Sequence, residues 1–338
     1  SKQEIIKFSF EKIRQIYIAL KRNKNFGSIV DIRAKNLPKI DIFTYSFPCT
    51  DLSTIGNQAG LEIGTRSGLL WEVKRVLSEL KLLKRLPKYL LMENVKNLFS
   101  SNHVDGWNIF ASFLESLGYK NSIMVLNAKE FGIPQNRERA FCISELNGTD
   151  EIIVEAKNSS VNIHDFLDLN NDSLIEEYKE VLPKNTASRV KWISKSKHLN
   201  NMSHCMTITT KQDRWPNAGI LFCDVNGKLI DNNNDWNINK DKACYRFLTP
   251  REQLLLMGFE SNSYDKLKNI GMPKTKIQLM AGNSIVVPKL EAIFTSILKR
   301  IVEKSKTALK NKKVRNKNFE PVNNADFIAD FIVTPNIA

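Results

Sequence analysis

Short apolar runs of strand length alternate with stretches of helical periodicity through the first 146 residues, and this alternation restricts the fold more than any other feature of the chain. Residues 41–47, 89–92, 122–127 and 140–144 read as strands. Between them, residues 66–84 carry Leu69, Val73, Val76, Leu80 and Leu83 at helical spacing, and residues 107–117 repeat the pattern ahead of Gly118, a natural C-terminal cap. Strands separated by helices predict an α/β fold with a doubly wound, mostly parallel sheet. In such a sheet, ligands and reactive groups collect beyond the carboxyl ends of the strands.

After residue 146 the texture changes. Asn, Asp and Ser become frequent, periodicity weakens, and residues 224–242 read as a loop-rich excursion. Order returns at Arg246, and an amphipathic helix is predicted from 288 to about 303, after Gly282-Asn283-Ser284. The expected organisation is a catalytic domain over 1–146, a smaller irregular domain over 147–278, a return to the first domain over 279–304, and a basic tail over 305–338.

Composition narrows the function. Five cysteines stand at irregular positions, 49, 142, 205, 223 and 244, without a CxxC, and the four histidines are scattered. Neither a disulfide framework nor a metal site is expected, and a reducing, cytoplasmic setting fits. No apolar run reaches membrane-spanning length, and the charged start of the chain lacks a signal-peptide core. The net charge of +14 points first to nucleic acid and second to an acidic membrane surface. Residues 299–317 hold nine Lys or Arg and one Glu, a pattern usual for a solvated tail.

Three short patterns fall at predicted strand ends. Pro48-Cys49 follows the first strand, where the proline cannot extend a ladder and forces a turn. A lone cysteine is more often inert core than nucleophile. Glu93-Asn94-Val95 closes the second strand, and Gln135-Asn136-Arg137-Glu138-Arg139 precedes the last. A surface carboxylate and a solvated charge triplet are the ordinary readings of these two. Together the three supply a nucleophile, a carboxyl acid or base and paired guanidinium donors.

In this order the motifs resemble those of the DNA cytosine-C5 methyltransferases of bacterial type. The resemblance extends to Arg246-Phe-Leu-Thr249-Pro-Arg-Glu252 with Gly258-Phe259, and to Ala281-Gly282-Asn283-Ser284-Ile285, so it covers roughly residues 28–300. It implies a Rossmann-like methyltransferase sheet with a target-recognition domain over 147–278. It also implies transfer of a methyl group from S-adenosyl-L-methionine to cytosine C5 in duplex DNA. Cys49 would add to C6 of a base flipped out of the helix, Glu93 would hold or protonate ring N3, and Arg139 would bind O2 as an oxyanion hole does. Arg137 would support the site or its loop. The glycine-bearing loop over 53–67, beginning at Ser53, is suited to close over the flipped base.

For the cofactor, the resemblance implies Asp31 and Ile32 beside the adenine, with Pro48, Leu69 and Asn283 lining the pocket. The family's Gly-rich FxGxG loop has no counterpart in the 338 residues, and residues 1–27 read as a basic amphipathic helix. The expectation is therefore a truncated copy or one half of a split enzyme, completed by a chain carrying that segment; a non-catalytic DNA-binding protein is a rival. Thr207 begins the expected base-reading region, where Lys211, Gln212 and Arg214 are side-chain types that read base edges. A cognate restriction endonuclease is an implied partner, from the resemblance to modification enzymes. A tRNA cytosine methyltransferase is the alternative enzyme.

Overall fold

The computed structural model describes residues 9–48, 69–101, 103–157, 161–183, 196–212, 217–229 and 244–315. The chain divides into two compact units, the first ending at Ile293 and the second beginning at Phe294.

The first described element is the helix α1 (Phe10–Arg22), capped by the Ser9 hydroxyl, which accepts the Lys12 N–H; none of its residues is buried. The sheet of the first unit is built from β1 (Ile42–Ser46), β2 (Tyr89–Val95), β3 (Tyr119–Asn127) and β5 (Glu138–Leu146), in the order β1-β2-β5-β3, with the two-residue β4 (Gln135–Asn136) just before β5. β1 and β2 are parallel, and β5 runs antiparallel to both β2 and β3. Three strands therefore share one direction and β5 alone opposes them. The reversal follows from the connection. Between β3 and β5 lie a 3-10 turn (Ala128–Phe131) and β4, too short a span for the crossover that a parallel return needs.

β2 is one of the two interior strands, buried without a break from Tyr89 to Met92. It does not stop at Glu93-Asn94 as the polar residues suggest. Glu93, Asn94 and Val95 stay in the ladder opposite Phe141, Ala140 and Arg139. Ladder bonds outweigh the side-chain signal, so the strand carries a carboxylate on its last turn of pleat.

Two helices cover one face of the sheet. α2 (Leu70–Leu82) buries Leu70, Val73, Val76, Leu77 and Leu80, the predicted stripe. It ends short of the predicted Lys84, which takes a left-handed φ of 55°, and Leu83 is left 43% exposed. α3 (Val104–Ser116) buries Trp107, Phe110 and Leu114 and is closed by Gly118 at φ 95°. Trp107 and Phe110 pack with Tyr45, Leu90 and Met92 into one core. Cys142 lies within that core, where burial pushes its thiol up to about 12, so it stays a neutral packing residue.

The irregular stretch follows with α4 (Ile163–Phe166), α5 (Ile175–Lys179), β6 (Cys205–Met206), β7 (Leu221–Cys223) and β8 (Cys244–Arg246). β6 pairs with β4, and β7 pairs with β8. Its own core is made by Ile163, Leu199, Ile208, Leu221 and Leu256. Then come α6 (Pro250–Leu255), α7 (Ser263–Asn269) and α8 (Lys274–Asn283), which pack Leu254, Met257, Ile277 and Ala281 against Ala128 and Ile133 of the β3–β5 connection.

The Arg246-to-Glu252 motif is a built joint. Thr249 caps α6 by accepting the Glu252 N–H, and the Thr249 N–H donates back to Glu252. Both Arg246 terminal nitrogens donate to the Glu252 carboxylate at 2.8 Å, in full burial. The guanidinium also stacks 4.3 Å from the Tyr178 ring. Gly258 (φ 81°) has no alternative, because a Cβ there would lie 2.3 Å from Pro288 Cδ.

The last helix, α9 (Val287–Arg315), runs beyond the predicted end near 303. Its basic stretch contains no Gly or Pro and is rich in Lys, a good helix former.

Replacing Phe110 by Ala should lower unfolding free energy by about 3–5 kcal/mol, since it empties a sealed part of the core. Leu82→Ala, at an 84% exposed position, should change it by less than about 0.5 kcal/mol. Denaturant unfolding of both variants measures the contrast.

Candidate active site

The parallel pairing of β1 and β2 sets Ser46 directly beside Glu93, and the antiparallel pairing of β2 and β5 sets Val95 beside Arg139. Backbone register alone thus brings three strand ends to one place. Arg139 Nε lies 3.5 Å from Glu93 Oε1, and the Ser46 hydroxyl donates to Glu93 Oε2 at 3.4 Å. The two charged side chains are only 16% and 15% exposed, so the pair is sheltered but open on one side. Arg139 Nη1 donates to the Glu138 carbonyl at 2.8 Å, which turns its fork along the strand end. Ser46 was not singled out by sequence; its position, one residue before Phe47-Pro48 on the outgoing strand, is the signal that finds it.

Asn94 is fully buried and donates its amide to the Phe47 carbonyl at 3.1 Å. It ties the end of β2 to the backbone that leads through Pro48, a half-buried residue, toward Cys49. Cys49 itself, with Ser53 and Arg214, lies outside the described residues.

Alternate residues of Gln135-x-Arg137-x-Arg139 act differently. Gln135 and Arg137 point into the protein. The Gln135 amide donates to the Leu256 carbonyl at 2.7 Å and accepts the Ile208 N–H at 3.0 Å. Arg137 donates to the carbonyls of Ile208 (2.7 Å), Gly282 (3.0 Å) and Ser284 (3.0 Å). One guanidinium thereby joins the sheet, the irregular region and the end of α8. Thr207 donates its hydroxyl to the Asn136 carbonyl, so it locks the same joint. Gln212 is buried, donating to Thr209 and accepting the Ala218 N–H, which closes the loop from inside. Lys211, beside it, is exposed.

The predicted cofactor residues fall in two groups. Asp31 is exposed and Ile32 half-buried against the main core. Their segment is tied to α2: Arg75 donates to the Ile29 carbonyl at 2.9 Å, and Glu79 accepts the Ala34 N–H at 2.8 Å. That N–H, followed by Arg75, holds the Glu79 carboxyl below its usual range. Leu69 is the N-cap residue of the same helix. Asn283, by contrast, ends α8 beside the Arg137 joint and is exposed. Among the described residues no group of three His, Cys, Asp or Glu gathers as metal ligands would, and no helix is long and apolar enough to cross a membrane.

The mixed α/β sheet with helices packed on it is that of a Rossmann-like methyltransferase fold. Solved structures share it. S. pombe Dnmt2 methyltransferase superposes with a TM-score of 0.60 at 20% identity, over 81% of this chain and 82% of that one. Entamoeba histolytica methyltransferase EhMeth gives 0.61 at 17% identity, over 84% and 87%.

Sequence comparison narrows the class to a family. The profile of C-5 cytosine-specific DNA methylase matches residues 4–299. Type II methyltransferase M2.ScrFI of Lactococcus lactis subsp. cremoris is 41% identical over 87% of this chain and 76% of its own length. Orphan methyltransferase M.SssI of Spiroplasma monobiae is 35% identical over 85% of this chain and 74% of its own. The chain belongs to the C-5 cytosine-specific DNA methylase family, a family of DNA (cytosine-5-)-methyltransferases.

Gly282 is the tightest point of the joint, since an added Cβ would sit 2.5 Å from the Thr210 backbone nitrogen. Gly282→Ala should force backbone apart and cost about 1–3 kcal/mol, read as a lowered melting temperature.

Proposed function

We propose that this chain methylates C5 of cytosine in a specific duplex DNA sequence by a covalent route. The observation that carries the reading is the sheltered Glu93–Arg139 pair at the strand ends, set beside the backbone that runs on to Cys49. Cytosine C5 is a poor nucleophile, and addition of a thiolate to C6 makes it enamine-like. Cys49 is the proposed thiolate. Glu93 holds or protonates N3, which draws electrons from C6, and Arg139 donates to O2, where negative charge develops. Because Glu93 and Arg139 face the same opening, one ring edge can meet both. A stacked base cannot reach them, so the target nucleotide must leave the duplex.

S-adenosyl-L-methionine is the proposed methyl donor; when bound it supplies an electrophilic methyl group. An exposed Asp31 carboxylate, the half-buried Ile32 and Leu69 at the head of the helix tied to that segment offer an acceptor and an apolar surface, as an adenine and its amino group require. Pro48 and Asn283 are proposed to line the pocket further. We propose that a glycine-bearing FxGxG segment, on preceding chain or on a partner chain, completes the site. Residues 147–278 are the proposed recognition domain, with Lys211, Arg214 and Ser53 toward DNA. Thr207 and Gln212, whose polar atoms bond within the protein, shape that surface from inside. The type II designation of M2.ScrFI supports a place in a restriction–modification pair, with a cognate endonuclease and a cytoplasmic site of action.

The test is duplex DNA carrying 5-fluorocytosine, whose fluorine blocks the final elimination and leaves the enzyme attached. With S-adenosyl-L-methionine, alone or with an FxGxG-bearing polypeptide, a denaturation-resistant adduct is expected. It should vanish in Cys49→Ala and slow by about 10²–10³ in Arg139→Ala. Absence of an adduct under both conditions overturns the covalent reading, and an adduct on RNA alone overturns the DNA substrate.

A further inference from the structure

Val286, Lys289 and Ile293 follow one another at steps of three and four around the start of α9, and all are fully buried. The middle one is a lysine, which is almost never fully buried without partners. Its Nζ donates to the carbonyls of Leu126 (3.2 Å) and Arg137 (3.0 Å) and lies 5.6 Å from the Phe141 ring centroid. Leu126 is the residue directly opposite Arg139 in the β3–β5 ladder, and Arg137 is two residues before it. One amine therefore clamps the backbone on both sides of the point where Arg139 leaves the sheet.

We propose that Lys289 is a positioning residue for the Arg139–Glu93 pair, and that the proton it gains or loses is felt by that pair. The proposal rests on the reading of Arg139 as the group that meets the base. Geometry gives the link: the clamped carbonyls belong to the strand ends that aim Arg139. Charge gives the second half. Burial is the largest influence on Lys289; Arg137 and Arg139 oppose its charge, while Glu93 on β2 and Glu130 in the turn after β3 favour it. The balance brings the ammonium down to about 7. A neutral amine has two N–H donors, which match the two carbonyls; the ammonium adds a third, toward the Phe141 face, and a cation beside two guanidiniums. Below about pH 7 that cation pushes against Arg137 and Arg139, and above it the push is gone. The folded value lies under the ordinary 10.5, so the unfolded chain binds more protons between the two. Stability from this group must rise with pH across that window.

Arginine side chains labelled with ¹⁵N give a readout that does not depend on turnover. In the full chain, the Arg139 Nε–H resonance should move with a midpoint of about 7 as pH is raised. Lys289→Gln keeps N–H donors but cannot titrate, so the step should disappear and the resonance should stay near its high-pH position. Lys289→Met removes the donors, and should displace the resonance at every pH. Methyl transfer by Lys289→Met should show kcat lower by about tenfold with the KM for DNA changed less than about twofold. The same Arg139 resonance in all three proteins, or a step that persists in Lys289→Gln, overturns the proposal. If Lys289→Met does not fold, the Gln variant decides alone. The parent reading fails separately: Arg139→Ala that methylates at the wild-type rate removes Arg139 from the chemistry, whatever the resonance shows.

Discussion

The three carbonyls gathered by Arg137 are the constraint on which the rest of the first unit depends. Ile208 belongs to the irregular region, Gly282 and Ser284 to the end of α8, and Arg137 itself to the link between β4 and β5. These segments are far apart in sequence. A buried guanidinium has donors in fixed directions and is strongly penalised if they go unmet, so it sets position as well as adding strength. Gln135, Thr207 and the close approach at Gly282 reinforce the same joint.

That joint lets one short run of sequence do two things. Gln135 and Arg137 face inward to fasten the architecture, while Arg139, beyond the break at Arg137 that separates β4 from β5, meets Glu93. Arg139 is aimed by what its neighbours hold. The same logic applies across the ladder: Asn94 fixes the Phe47 backbone while Glu93, one residue away, faces the opening. The residues proposed for chemistry and those that scaffold them are interleaved, which fits a site assembled where three strands end.

Much of this was legible in the sequence, for reasons that can be stated. The strands and the α2 and α3 stripes are read from local periodicity, and Val73, Val76 and Leu80 sit where it places them. The reversed β5 was hidden because periodicity says nothing of direction; only the length of the link after β3 does. Glu93-Asn94 reads as a strand end, yet ladder partners supplied by distant Phe141 and Ala140 carry the strand through it. Gln212 and Thr207 have the side chains of base readers, and nothing local reveals that Ala218 and Asn136 occupy them. Lys289 looks like the polar side of a basic helix unless its spacing from Val286 and Ile293 is counted. Cys49, Ser53 and Arg214 lie outside the described residues, so their roles rest on motif and not on geometry.

The central claim is that Arg137 and Arg139, two residues apart, divide structure from chemistry. Unfolding free energies of Arg137→Ala and Arg139→Ala, measured beside their methylation rates, test it most directly. The account predicts that Arg137→Ala loses about 3 kcal/mol or more, because three carbonyls lose a charged donor in a buried joint. Arg139→Ala should stay within about 1 kcal/mol of wild type while methyl transfer collapses. An Arg137→Ala protein as stable as wild type, or an Arg139→Ala protein that unfolds early and methylates normally when folded, would contradict it.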